Sequence, residues 1–115
     1  MRIRPRRLRR TALLREALAE TQLTRAQLVQ PHFVLPDANA TSDIAAMPGI
    51  QRMGTRRLLE RVGADLELGL ATVLLFGLYD EKDALGSAAR ANDGLVPRAV
   101  RALREAFGER LTIVT

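Results

Sequence analysis

Side chains equipped for catalysis are few in this sequence. It holds one histidine, His32, one lysine, Lys82, and no cysteine. Without cysteine these residues offer no thiolate zinc ligand, no cysteine nucleophile and no disulfide. His32 sits in an apolar run with no second ligand or base in view, so it reads as a satisfied or edge histidine ahead of a catalytic one. The densest polar set is Asp80, Glu81, Lys82, Asp83, Ser87 and Arg90. Glu81 and Asp83 stand two apart in a presumptive loop, a spacing more typical of polar surface than of an acid–base pair. Gly77, Gly86 and Gly94 form neither a GxGxxG nor a Walker pattern, so nucleotide binding has no motif behind it.

The strongest charge feature lies elsewhere. Arg2, Arg4, Arg6, Arg7, Arg9 and Arg10 crowd into the first ten residues with no acid among them. The formal net charge is +5, yet the other 105 residues carry 12 basic and 13 acidic side chains. The body is therefore neutral and the basicity belongs to one arm. Such an arm has three readings: neutralising phosphates, docking on an acidic neighbouring subunit through guanidinium–carboxylate forks, or plain solvation. Charge alone ranks them solvation, subunit docking, nucleic acid. The only aromatics are Phe33, Phe76, Tyr79 and Phe107, too few for a base-stacking surface.

The elements that must position these groups follow from periodicity. Residues 1–10 contain Pro5 and no period, which predicts an extended arm. Leu13, Leu14, Ala17 and Leu18 recur at helical spacing behind Thr11 as a cap. Thr24 and Gln27 form a capping-box signature for one short turn. Residues 28–35 read as a strand, with Pro31 where no ladder donor is needed. A loop is expected from Pro36 to about Gly54. Thr55 opens a helix whose apolar stripe is Leu58, Leu59, Val62, Ala64 and Leu66, with Arg61 and Asp65 among the polar remainder, and Gly69 ends it. Residues 71–76 are the clearest strand, continuously apolar as in a parallel sheet. A long polar connection, 77–94, leads to a helix at 95–107 stopped by Gly108, and a third strand starts at Leu111.

Strands alternating with helices predict an α/β fold with parallel pairing and function at the strands' carboxyl ends. The connection at 77–94 is longer than most strand-to-helix links, which suits either a binding loop or a solvated surface loop. The longest uncharged stretch, 68–79, has 12 residues, too few to span a bilayer. No apolar core follows the arginines as a secretory signal requires. A cytoplasmic protein with no membrane partner is expected.

Several segments together resemble a known family. Arg4-Pro-Arg-Arg-Leu-Arg9 precedes a short helix. Leu28-Val-Gln-Pro-His-Phe-Val34, Met47-Pro-Gly49 and a strand ending Leu75-Phe-Gly77 follow, then Lys82-Asp83, Gly86-Ser87-Ala88 and Asn92-Asp-Gly94. In this order and spacing they resemble the N-terminal third of porphobilinogen synthase, or 5-aminolevulinate dehydratase. The resemblance implies a TIM (β/α)8 barrel behind an N-terminal arm, and an enzyme that joins two 5-aminolevulinate molecules into porphobilinogen on the way to haem and other tetrapyrroles. It implies two Schiff-base lysines, whose iminium acts as electron sink, and zinc or magnesium as the metal of the full-length enzyme.

Those lysines lie in later strands of the family barrel, so the role does not pass to Lys82, and no catalytic residue or metal ligand is assigned in this chain. The resemblance places Phe76 at the active-site mouth, as substrate-pocket lining. It matches Arg4, Pro5, Arg6, Arg7 and Arg9 to the arm that embraces a neighbouring subunit, which raises homo-oligomer docking above both solvation and nucleic acid. His32 stands where the family usually has an aliphatic residue, and Gly54 and Gly63 loosen a helix region usually better built.

The expected organisation is thus an arm, 1–10, and the N-terminal part of a TIM barrel, 11–115, carrying its first three strands. An incomplete barrel leaves an open sheet edge and an uncovered apolar face. Such a chain is expected to be poorly folded or self-associating alone, and inactive. The alternative is a non-catalytic truncated subunit that joins full-length synthase through its arm and open edge.

Overall fold

A computed structural model describes residues 6–79 and 83–115. Its strands are β1 (Gln30–Val34), β2 (Thr41–Asp43), β3 (Gln51–Met53), β4 (Thr72–Gly77) and β5 (Thr112–Val114). The helices are α1 (Ala12–Ala17), α2 (Thr55–Glu67), α3 (Ser87–Arg90) and α4 (Leu95–Phe107). The five strands form one sheet in the order β2-β3-β1-β4-β5. Only the β2–β3 pair is antiparallel; β1 lies parallel between β3 and β4, and β5 lies parallel on β4.

Side-chain alternation gives the sheet two unlike faces. His32 and Val34 of β1 and Val73 and Leu75 of β4 are buried beneath α2 and α4. These helices supply Leu58 and Val62, and Leu95, Ala99 and Leu103, to the same core. Each of the buried valines and leucines contributes about 1.5–3 kcal/mol on leaving water. The other face has no layer over it among the described residues. Phe33 is half-buried there, while Phe76 and Val114 remain exposed.

The helix at 95–107 has the bounds its spacing predicts. Gly108, at φ +56°, turns the chain out of it. Thr11 accepts a hydrogen bond from Leu14 N–H at 3.1 Å to cap α1. Thr24 and Gln27 close their capping box, with Thr24 N–H donating to Gln27 Oε1 at 2.7 Å.

Three expectations need correction. The stretch 36–54 is not simply a loop, because β2 and β3 extend the sheet beyond β1, giving five strands where three were expected. Both are short and polar, without an apolar alternation to betray them, and backbone pairing holds them. Leu35 N–H donates to Met53 O at 2.9 Å, and Gly54 N–H to Ala40 O at 2.8 Å. Gly54 permits that closure, since a Cβ there would overlap the Asp37 carbonyl. Second, Leu28 and Val29 are exposed and precede the strand. Third, Asp65 joins Leu58 and Val62 on the buried stripe of α2, while Ala64 faces solvent.

Residues 6–29 bury nothing; Leu14 alone is half-covered, and Leu8, Leu13, Leu18 and Leu23 stand in solvent. The molecule measures 60 × 35 × 25 Å with a radius of gyration of 20.0 Å, against about 13 Å for a compact chain of this length. No helix among the described residues is long and apolar enough to cross a membrane.

Candidate functional site

The carboxyl ends of β4 and β5 meet the amino end of α4 around a cleft of about 370 Å³. Phe76, Gly77, Tyr79, Val96, Pro97 and Thr115 line it. β4 delivers Phe76 on the open face, 43% exposed. In the β1–β4 register Phe33 lies beside Phe76, and the two rings stack with centroids 5.5 Å apart and 23° between planes. The stack leaves Phe76 as a preset apolar wall.

Gly77 brings α4 close to the strand end. A Cβ there would meet Val96 Cγ2 at 2.6 Å and Tyr79 Cε2 at 3.3 Å. Beyond it, Leu78 N–H donates to Val34 O at 2.9 Å, carrying the β1–β4 pairing past β4 itself. Tyr79 is half-buried between Gly77 and Gly94, whose added Cβ would lie 3.4 Å from the Tyr79 hydroxyl oxygen. Tyr79 therefore ties the strand end to the start of α4. The sequence reading passed over it; its place one turn past an apolar strand and its ring were the available signal.

The loop before α4 is organised by Asp83. Its Oδ1 accepts from Leu85 N–H at 3.1 Å and from Ser87 N–H at 2.9 Å. The Ser87 hydroxyl, and then the Ser87 N–H, hold this carboxylate below its usual range. Ser87 is thereby engaged as a donor to a carboxylate, not paired with a base as a nucleophile would be. Asp80, Glu81 and Lys82 lie outside the described residues.

His32 is not at this cleft. It points to the helix layer, on the opposite face from Phe76, with Nε2 3.2 Å from Asp65 Oδ2. Asp65 is the partner the sequence reading did not find, though the spacing 58, 62, 65 puts it on the buried stripe. Arg6, Arg7 and Arg9 are exposed, while Arg4 and Pro5 fall outside the described residues. Among the described residues no three histidine, aspartate or glutamate side chains gather where a metal ion would be held. The arrangement thus offers an aromatic wall, strand-end backbone and a capped loop: parts that bind and position, with no acid–base or nucleophilic pair beside them among the described residues.

The profile of the delta-aminolevulinic acid dehydratase family matches residues 2–115. The chain belongs to this family. The Halalkalibacterium halodurans delta-aminolevulinic acid dehydratase is 35% identical over 111 residues, covering 96% of this chain and 34% of the relative. The Streptomyces coelicolor protein is 37% identical over 115 residues, covering 97% of this chain and 34% of that relative. The crystal structure of delta-aminolevulinic acid dehydratase (porphobilinogen synthase) from Toxoplasma gondii, in complex with the reaction product porphobilinogen, superposes with a TM-score of 0.87 at 32% identity. That match covers 98% of this chain and 32% of the other. The chain spans about a third of the length of the curated delta-aminolevulinic acid dehydratases it matches.

Proposed function

We propose that this chain is the opening segment of a porphobilinogen synthase, a lyase that condenses two 5-aminolevulinate molecules to porphobilinogen in the cytoplasm. The observation that carries this reading is the superposition on a porphobilinogen-bound relative over nearly the whole chain, combined with a sheet face left open on one side. In this reading β1, β4 and β5 are the first three strands of a (β/α)8 barrel. The face bearing Phe33, Phe76 and Val114 is its interior, and the cleft at Phe76 and Tyr79 lies at its catalytic end. Phe76 lines the substrate pocket, and the Asp83–Ser87 turn positions the loop above it.

The Schiff-base chemistry of the reaction comes from lysines that this chain does not contribute. The zinc or magnesium of the whole enzyme finds no fitting cluster among the described residues. Arg4, Pro5, Arg6, Arg7 and Arg9 form the arm that embraces a neighbouring subunit. The bare apolar side chains of Leu8, Leu13 and Leu18 support this, because a segment burying nothing on its own chain gains most by burial on another.

The same exposed segment, with the edge of β5, favours one second reading: a non-catalytic subunit that joins full-length synthase. The experiment mixes the purified chain and 5-aminolevulinate with a polypeptide supplying the remaining two-thirds of the Streptomyces coelicolor relative. Porphobilinogen should form in the mixture and not from either part alone. Product from the 115-residue chain by itself contradicts the first reading. A co-purifying but inactive pair, with binding to the intact relative, favours the second.

A further inference from the structure

The cluster formed by His32, Asp65 and Arg61 belongs to neither the strand-end cleft nor the arm. His32 on β1 is 3% exposed and Asp65 on α2 is 1% exposed. Their closest atoms, Nε2 and Oδ2, are 3.2 Å apart, but they are not aligned for a hydrogen bond and neither has another partner. Arg61, one turn earlier on α2, donates from Nε to Asp65 Oδ1 at 3.1 Å, with more than half of its own side chain in water.

The charges decide how such a cluster responds to protons. Arg61 and Asp65 already balance, so a neutral imidazole leaves the site neutral. A protonated imidazole makes it net positive at a side chain only 3% exposed, and the Asp65 carboxylate that faces it is already engaged by Arg61, so burial disfavours that charge. Among the described residues no other acid compensates. β4 places Leu75 in register with His32. β3 offers Gln51 and Met53 beside the cluster, while Arg52 is in register with Phe33 and so lies on the opposite face. α4 presents apolar Leu103 and Phe107 to the core, and its Arg104 is occupied by the carbonyls of Gly108 and Leu111. The remaining charges nearby on α2, Arg57 and Glu60, pair with each other at the surface at 2.9 Å.

A cavity of about 80 Å³ adjoins the imidazole, lined in part by Gln30, Gln51, Met53 and Arg61. The amino end of α2 also holds the turn leading to β2, through Arg56 N–H donating to Ala38 O at 3.0 Å, so the helix and the β2–β3 hairpin are directly linked.

We propose that the buried contact of His32 with Asp65 is a proton-operated latch between β1 and α2, held closed by their packing while the imidazole is neutral and released when it takes up a proton. The physical cause is consistent with the direction of titration. Burial pushes the imidazole below its ordinary value, Asp65 pulls it back up, and Arg61 lowers it further. Because the folded value is depressed, the unfolded chain binds the proton first. Stability is complete above the ordinary imidazole value of about 6.5 and is lost as pH falls from there through the folded value.

His32 is the only histidine, so its Cε1–H resonance in the full 115-residue chain reads the site without ambiguity. The midpoint should lie below that of an unstructured histidine, and Arg61→Gln, at an exposed position, should raise it. The unfolding constant should rise by up to tenfold per pH unit of acidification across that interval. His32→Leu should abolish this dependence. A midpoint at or above the ordinary value, or one that Arg61→Gln leaves unmoved or lowers, overturns the latch. So does a His32→Leu variant that keeps the same pH slope. The Arg61→Gln titration decides the matter if His32→Leu does not fold.

Discussion

Gly63 occupies the middle of α2, where glycine carries a penalty of about 0.8–1.0 kcal/mol relative to alanine. Whether alanine recovers that depends on the space around it. A Cβ at Gly63 would meet Phe107 Cζ at 3.8 Å and Cε1 at 3.9 Å. Both are ordinary van der Waals distances, so the methyl adds contact with α4 and displaces nothing. Gly63→Ala should therefore stabilise the chain by about 1 kcal/mol, raising the melting temperature by about 4 °C for a domain of this size. Urea unfolding followed by circular dichroism measures it directly, with the midpoint rising and the slope unchanged. A fall in midpoint would refute the reasoning, since it would mean that α2 and α4 approach more closely at Phe107 than described here.

Other substitutions should behave differently. Gly54→Ala places a methyl on the Asp37 carbonyl and should destabilise by about 3 kcal/mol or more, beyond the overpacking seen at forgiving sites; the same urea experiment would show a lowered midpoint. Gly77→Ala must push Val96 aside and should cost about 1–3 kcal/mol, with loss of the Tyr79 environment in near-ultraviolet circular dichroism. Asp83→Asn weakens the caps on Leu85 and Ser87. In the parent chain the caps should persist above the usual carboxylate range and fail as pH falls through the lowered Asp83 value; the Ser87 amide resonance would report it. Replacing Arg6, Arg7 and Arg9 with glutamine should reduce the assembled mass in light scattering and leave the melting of residues 30–115 unchanged.

How much the sequence disclosed depends on where each element gets its stability. α4 was readable because Val96, Ala99, Val100, Leu103 and Phe107 recur at helical spacing between two glycines, although its fully buried residues are Leu95, Ala99 and Leu103. β4 was readable because its apolar content is unbroken. β2 and β3 were not, because Thr41-Ser-Asp43 and Gln51-Arg-Met53 bury little and exist through backbone pairing, β3 with β1 and β2 with β3, and the close passage at Gly54. Asp65 was misassigned by residue type: position put it on the buried stripe, and only the fold brings His32, 33 residues earlier in sequence, against it. At the candidate site, Phe76 was legible as the end of an apolar strand. The part played by Tyr79 and Gly77 was not, since it arises from the approach of α4 to the strand end.

The central claim is that the face carrying Phe33, Phe76 and Val114 is an interior surface awaiting strands from the rest of a synthase barrel. The sequence contains no tryptophan, so Phe76→Trp places a single reporter on that face. Its emission should be that of a water-exposed indole in the monomeric chain and shift to the blue when the remaining two-thirds of a relative is added. A blue emission already present in the monomer, or one that does not move when the two polypeptides bind, would contradict the account.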